Sequence, residues 1–336
     1  MKKGSRRYSI LLPGILFLLL IIDSNSAAQG IAQGITQCLQ VIIPSLFPFF
    51  FVTGWLNSVL FGIPIPFIHS LSKILTLPKG CESILLTGLL GGYPVGAKAI
   101  ADACNSKVIT TQTAHILLGY CNNAGPAFIF GICHILFSGW WVPWIIWSIQ
   151  ILSAIITGLL LPRPADVSYM NHKTSDISIT SVLNRSITVT AIVCGWVLLF
   201  KALLQILSQI PVLLSPLPYV AGVLELSNGC LMLADMVPVS LRFCIFCAYL
   251  SAGGFCVYLQ TASAVGSLGT GLYLIGKCIQ TAVCVVLSIP ISKILFRRFP
   301  LPFNALLPLL GCCIAVIFFL HKKARKRCGN CACDRV

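Results

Sequence analysis

The chain has 336 residues, of which 57% are hydrophobic and 9% are charged, and its formal net charge is +15. Its mean hydropathy is +0.94. This composition excludes a soluble globular protein and predicts an all-α membrane protein that crosses the lipid bilayer several times. The positive charge does not indicate a nucleic-acid partner, because the basic residues gather at the two ends of the chain.

The apolar segments predict about eight transmembrane helices. They are residues 9–23, 36–62, 112–136, 141–161, 183–210, 240–265, 270–296 and 303–320. Two shorter apolar runs, 82–101 and 217–235, contain glycine, proline or polar residues, which is typical of re-entrant hairpins or broken helices. The basic residues at both ends predict that both termini lie in the cytoplasm, and an even number of spans agrees with this.

The two ends of the chain are predicted to be membrane-anchored and basic. Residues 1–30 are interpreted as an uncleaved N-terminal anchor, although their basic start and the small residues 24–28 also resemble a signal peptide. Residues 297–320 would form the last transmembrane helix and 321–336 a basic, cysteine-containing cytoplasmic tail. The tail has one C-x-x-C pair without a second ligand pair, so no metal site is predicted.

An internal repeat organises the middle of the chain, with counterparts spaced roughly 130–140 residues apart. The matched segments are 51–56 with 191–197, 88–102 with 222–235, and 120–128 with 249–257. These matches predict repeat 1 at 31–162, a cytoplasmic linker at 163–182 and repeat 2 at 183–296. Equivalent elements are separated by an odd number of crossings, so the two repeats would be inverted, as in many secondary transporters.

The polar octet 119–126 (GYCNNAGP) interrupts an apolar run that is long enough to lie in a membrane. Asn122 and Asn123 offer amide donors and acceptors, and Gly125 precedes a proline that breaks the helix. Such a break at membrane depth is tolerated where it is packed in protein or lines a cavity. We expect these three residues to bind a small polar solute; the alternative is that the asparagines bond to a neighbouring helix.

The other predicted substrate-binding residues come from the two hairpin tips and from the second helix break. They are Gly92, Tyr93, Ser227, Asn228, Ser251 and Gly253. Glycine at a tip permits positive φ angles and close approach of the backbone to a ligand. For the first tip, a structural turn without a binding role is the alternative.

Glu225 is the predicted ion-coupling residue, for a proton or a sodium ion, because a carboxylate within an apolar run is costly unless it has a role. The alternative is an ion pair with Lys201 or Lys277. Lys98 and Asp102 are four residues apart on one helical segment and are expected to form a simple ion pair.

Three segments together resemble the sporulation integral membrane proteins of the YlbJ type, which carry a nucleoside-recognition or Gate domain. They are residues 44–50 (PSLFPFF), 91–98 (GGYPVGAK) and 121–126 (CNNAGP). The resemblance covers about residues 30–290, with 225–229 and 251–254 similar to companion elements of the second half. It implies a membrane protein needed for sporulation in endospore-forming bacteria, related in architecture to concentrative nucleoside transporters and to the gate regions of iron(II) carriers.

No enzyme motif accompanies these features. The chain lacks a G-x-S-x-G elbow, an H-E-x-x-H helix and a P-loop, so we expect neither catalysis nor a cofactor beyond a coupling ion. The leading hypothesis is a transporter or permeation protein for a small polar solute, nucleoside-like or an ion, that works by alternating access. The competing hypothesis is a scaffold without transport that assembles with other sporulation membrane proteins.

Overall fold

The structure, a computed structural model, describes residues 3–75, 77, 80–163, 178–211, 217–234 and 237–296. Within these ranges every regular element is a helix, so the all-α prediction is confirmed. The predicted last helix 297–320 and the tail 321–336 lie outside the described residues. So do most of the linker 163–182 and Asp235 of the second repeat.

The first half of the described chain contains nine α-helices. They are α1 (Lys3–Ile22), α2 (Ser24–Gln37), α3 (Ile43–Leu60), α4 (Pro66–Ile74), α5 (Glu82–Leu90), α6 (Val95–Asn105), α7 (Thr111–Leu118), α8 (Pro126–Leu136) and α9 (Val142–Leu160). A π-helical turn, Cys38–Ile42, joins α2 to α3 without a break. Residues Ser24–Leu60 thus form one continuous helical segment. The predicted boundary between the anchor and repeat 1, at residue 30, lies inside this segment.

The second half contains six α-helices among the described residues. They are α10 (Ile179–Leu207), α11 (Leu217–Leu224), α12 (Leu226–Met232), α13 (Val239–Ala252), α14 (Gly254–Val265) and α15 (Tyr273–Phe296). Helix α10 begins inside the predicted linker. A short 3₁₀ turn, Gly266–Leu268, follows α14.

Five segments of the described residues are long and apolar enough to cross a membrane. They are Ser24–Leu60, Val142–Leu160, Ile179–Leu207, Val239–Leu268 and Tyr273–Phe296. The chain is accordingly a multi-pass membrane protein. The helix predicted at 112–136 is divided into α7 and α8 at residues 119–125, where the polar octet indicated a break. The total of eight spans stays a prediction, since 303–320 is not described.

The order of helices in the first half recurs in the second. Each half has a long helix, a hairpin of two short helices, a helix broken in its middle and another long helix: α3, α5–α6, α7–α8 and α9, then α10, α11–α12, α13–α14 and α15. Contacts between the halves follow the same correspondence. Helix α6 packs on α14, and their counterparts α12 and α8 pack on each other. Likewise α7 packs on α15 and α13 on α9. The inverted orientation of the repeats stays a prediction.

Glycines allow the helices around the breaks to approach at backbone distance. A Cβ atom on Gly88 or on Gly96 would overlap the carbonyl group of Cys121, and one on Gly276 would overlap the backbone of Gly119. Membrane helices often cross at such small residues because their driving force is close packing rather than exclusion from water. The hairpin α5–α6 is therefore fixed directly against the first break, and α15 against the end of α7.

We predict that Gly276→Ala lowers the thermal unfolding midpoint of the detergent-purified protein. The added methyl group would push α15 away from Gly119, and overpacking of this kind costs about 1–3 kcal/mol. Gly195→Ala in α10 is the matched control, because a Cβ there meets no atom within 4 Å. The control should leave the midpoint unchanged or raise it slightly. Equal midpoints for Gly276→Ala and the wild type would contradict the close packing of α7 and α15.

Candidate functional site

Both hairpin tips and the first helix break face one pocket. The pocket is small in this conformation, with a cavity volume of about 40 Å³. Its glycine and polar lining residues are Gly92, Tyr93, Gly125, Glu225, Ser227 and Gln260. The rest of its wall is apolar and includes residues of α3, α8, α10 and α14. A mostly apolar pocket with a few placed polar groups is the usual form of a small-molecule site.

The sequence placed ten residues in the site, and the structure divides them into two groups. Five line the pocket: Gly92, Tyr93, Gly125, Glu225 and Ser227. The other five predicted residues are not among the lining residues: Asn122, Asn123, Asn228, Ser251 and Gly253. The side chains of the first four form hydrogen bonds with other parts of the protein. Gln260 was missed by sequence reasoning, because a single glutamine in an apolar helix has no distinctive local pattern.

The first tip and the first break touch through two glycines. Gly92 has a φ of 81°, a left-handed conformation that favours glycine. A Cβ on Gly125 would lie 2.9 Å from the Cα of Gly92, closer than packed atoms allow. Larger residues at either position would force the tip away from the break, so these two glycines close one side of the pocket.

The two asparagines of the octet hold the break in place in this conformation. The Asn122 amide accepts a hydrogen bond from the Ala97 backbone N–H at 3.2 Å and donates to Thr261 Oγ1 at 3.0 Å. The Asn123 amide donates to the backbone carbonyls of Tyr120 and Gly88, at 2.7 and 3.3 Å. Asn122 thereby joins α6 to α14, which is the interhelical bonding that the sequence left as the alternative.

A buried lysine connects the first tip to the first break. Lys277 Nζ, on α15, lies 3.1 Å from Tyr93 Oη, 3.1 Å from Asn123 Oδ1 and 2.7 Å from Gln280 Oε1. The Tyr93 hydroxyl in turn donates to the Leu250 carbonyl at 3.1 Å, near the end of α13. Sequence reasoning named Lys277 only as an alternative partner of Glu225 and missed this role.

The second break is built by Gly253 and by a polar contact to α9. Gly253 has a φ of 76° and separates α13 from α14. The Ser251 hydroxyl lies 3.2 Å from Gln150 Oε1 and 2.9 Å from the Cys247 carbonyl. Gln150 Nε2 donates to the same carbonyl at 3.0 Å. Ser251 thus supports the break from behind the pocket, and Gln150 is a further polar residue that the sequence did not single out.

Glu225 caps the N-terminus of α12 at the second tip. Its carboxylate accepts from the Ser227 N–H at 3.0 Å, the Asn228 N–H at 2.7 Å and the Ser227 hydroxyl at 2.8 Å. Neither predicted lysine forms an ion pair with it within 4 Å in the described residues, so that alternative is not observed. Lys201 donates instead to Asn228 Oδ1 at 2.8 Å. The predicted ion-coupling role of Glu225 stays a prediction.

The ion pair predicted between Lys98 and Asp102 is confirmed, with 2.9 Å between Lys98 Nζ and Asp102 Oδ1. Arg185 of α10 joins it at 2.9 Å from Asp102 Oδ2. This cluster lies away from the pocket between the tips. Among the described residues, no group of three or more His, Cys, Asp or Glu side chains is placed to hold a metal ion.

We predict that Glu225→Ala lowers the thermal unfolding midpoint more than Glu225→Gln does. Alanine leaves two backbone donors of α12 without their acceptor, and a lost cap costs about 0.5–2 kcal/mol. Glutamine keeps one amide oxygen for these donors. Ser148→Ala, which removes an exposed hydroxyl that bonds only within α9, is the control and should change little. Equal midpoints for Glu225→Ala and the control would contradict the capping role.

The chain is similar to one curated protein, the sporulation integral membrane protein YlbJ of Bacillus subtilis (strain 168). The two are 32% identical over 123 residues, which cover 34% of this chain and 29% of the relative. No family model matches the chain, and no solved structure matches it either. The similarity to YlbJ confirms the resemblance that the motifs predicted, over about a third of the chain.

Proposed function

We propose that this chain is a membrane protein of sporulation that carries a small polar solute, nucleoside-like or an ion, across the bilayer. The sporulation role rests on the similarity to YlbJ, whose name describes a sporulation integral membrane protein. Transport is supported by one observation above all: both hairpin tips and the first break border the same pocket. Interrupted segments in corresponding positions of two halves are typical of transporter binding sites. No catalytic step is part of the proposal.

The pocket's chemistry suits a solute with a few polar groups on an apolar body. Tyr93, Ser227 and Gln260 offer hydroxyl and amide groups, and Glu225 offers the one carboxylate among the described lining residues. The apolar remainder of the wall would contact the apolar part of the solute once the pocket widens. Glu225 would couple movement to a proton or a sodium ion, since its bonds to α12 change when its charge is lost.

Alternating access would be achieved by moving one half against the other around this pocket. In the proposal the two halves are inverted Gate-like repeats of a protein of about eight transmembrane helices, with both termini in the cytoplasm. The repeated order of helices and the exchanged contacts between the halves support this arrangement.

A scaffold without transport is the second candidate, and one observation favours it. The amides of Asn122 and Asn123 are both engaged by protein groups, which fits a break kept for structure alone. Such a protein would bind other sporulation membrane proteins rather than a solute. Its pocket would be a remnant of the architecture, since a fold by itself does not imply a function.

The deciding test is a thermal-shift screen of the purified protein against nucleosides, divalent metal ions, dipicolinate and sodium. A ligand of the folded state at 100 times its Kd stabilises by about 2.7 kcal/mol. We predict that at least one ligand raises the midpoint and that Gln260→Leu, which removes a polar group from the pocket, abolishes the shift.

Gln209→Leu is the matched control, because this glutamine is exposed beyond the end of α10 and its loss should leave the shift intact. A shift that survives Gln260→Leu and Glu225→Gln would place the ligand elsewhere and contradict the site. No shift with any ligand, in a protein that is shown to be folded, would favour the scaffold.

A further inference from the structure

We propose that the protein carries its own cation: the ammonium group of Lys277 fills a monovalent-cation site formed by neutral groups of the first tip, the first break and α15. The site accepts an ammonium-type cation. It is occupied by the ammonium group of Lys277, which is tethered to α15 by its own side chain. The site itself does not depend on transport. Its consequence, that no sodium ion is needed at this position, rests on the proposed function.

The ammonium group has as many partners as it has N–H donors. Its three oxygen acceptors, on Tyr93, Asn123 and Gln280, lie at 2.7 to 3.1 Å. Nζ also lies 5.0 Å from the centroid of the Tyr93 ring and 5.7 Å from that of Tyr273. Neutral oxygens combined with aromatic faces are the surroundings that favour ammonium-type cations.

The surroundings of Lys277 that the structure describes offer neutral acceptors rather than a carboxylate. The side chain is almost completely buried, with the residue 3% exposed. The ion pairs within 4 Å in the described part of the chain all involve other residues. An unpaired buried charge is very costly, and in the proposal the cage of oxygens and rings offsets that cost. A lysine kept for a salt bridge would have an acidic partner, whereas this one is coordinated as a free cation would be.

The cation connects parts of the molecule that are distant in sequence. Asn123 Oδ1 belongs to the first break and Tyr93 Oη to the first tip, while Nζ comes from the last described helix. Through its bond to the Leu250 carbonyl, Tyr93 extends the connection to the second break. A soluble cation at this point would link these elements only when bound, whereas the tethered one links them at every salt concentration.

A groove beside the site offers a route for a small amine. An open groove between α11, α13, α14 and α15 has Lys277 in its lining, together with Gly222, Tyr249, Phe255, Tyr258 and Tyr273. Truncation of Lys277 to alanine would leave an empty channel from this groove to the cage. The missing atoms correspond to propylammonium, which is therefore the probe that matches the space.

The experiment measures the thermal unfolding midpoint of Lys277→Ala in detergent with added propylammonium chloride. We expect the midpoint of the variant to lie below that of the wild type. Propylammonium should restore more than half of this difference. Propanol, which has the same shape without the charge, should not restore it. Lys73→Ala shortens an exposed lysine in the same way and should show no response to propylammonium.

Several outcomes would overturn the proposal. Equal recovery with propanol would mean that the amine only fills a cavity, and no recovery with either compound would mean that no cation site exists. Lys277→Ala could fold only when propylammonium is present during purification. Removing propylammonium should then unfold the variant, and a variant that stays folded after the removal would overturn the proposal. This test adds propylammonium to Lys277 variants, whereas the solute screen adds other ligands to the wild type and to Gln260→Leu, so failure here leaves the proposed function to be judged separately.

Lys277→Met keeps the neutral stem of the side chain and provides a second test. It removes the donors that Asn123, Tyr93 and Gln280 share, and methionine blocks the path of an added amine. We expect a lowered midpoint that propylammonium does not raise. A Lys277→Met protein as stable as the wild type would show that the charge is dispensable and would overturn the proposal.

Discussion

The structure depends on one constraint: where a helix is interrupted inside an apolar environment, protein groups must satisfy the freed backbone donors and acceptors. At the first break, Asn122 accepts from the Ala97 N–H at the start of α6, and Asn123 donates to the carbonyls of Gly88 and Tyr120. At the second tip, Glu225 supplies the acceptor for α12. These side chains satisfy backbone groups of the first break and of both tips that lack a helical partner.

This constraint separates the residues behind the pocket from those that line it. An amide that satisfies the backbone has little capacity left for a solute, so Asn122 and Asn123 support the wall. The positions that face the pocket include small or lightly bonded groups, such as Gly92, Gly125 and Gln260, beside Tyr93, Ser227 and Glu225, which also bond to the protein. Glycine is required at the tip because the two backbones pack against each other there.

The sequence was informative where the signal is local. The polar octet located the break between α7 and α8, and the glycines and Glu225 located residues that meet in one pocket although Glu225 is far from both glycines in sequence. It could not separate lining from supporting residues, because an asparagine has the same pattern in both roles. Lys277 was missed as a site residue since its partner Tyr93 is 184 positions away, and nothing near Lys277 in sequence indicates that contact.

The two tips differ in which half of the molecule holds them, and this difference bears on how the halves could move. Lys201 and Asn228 both belong to the second half, so their bond survives a rigid displacement of that half. Lys277, in contrast, reaches across from the second half to Tyr93 and Asn123 in the first. In the proposed alternating access a rigid displacement would stretch these contacts, so the tethered cation would resist it and the first tip is where movement would be controlled.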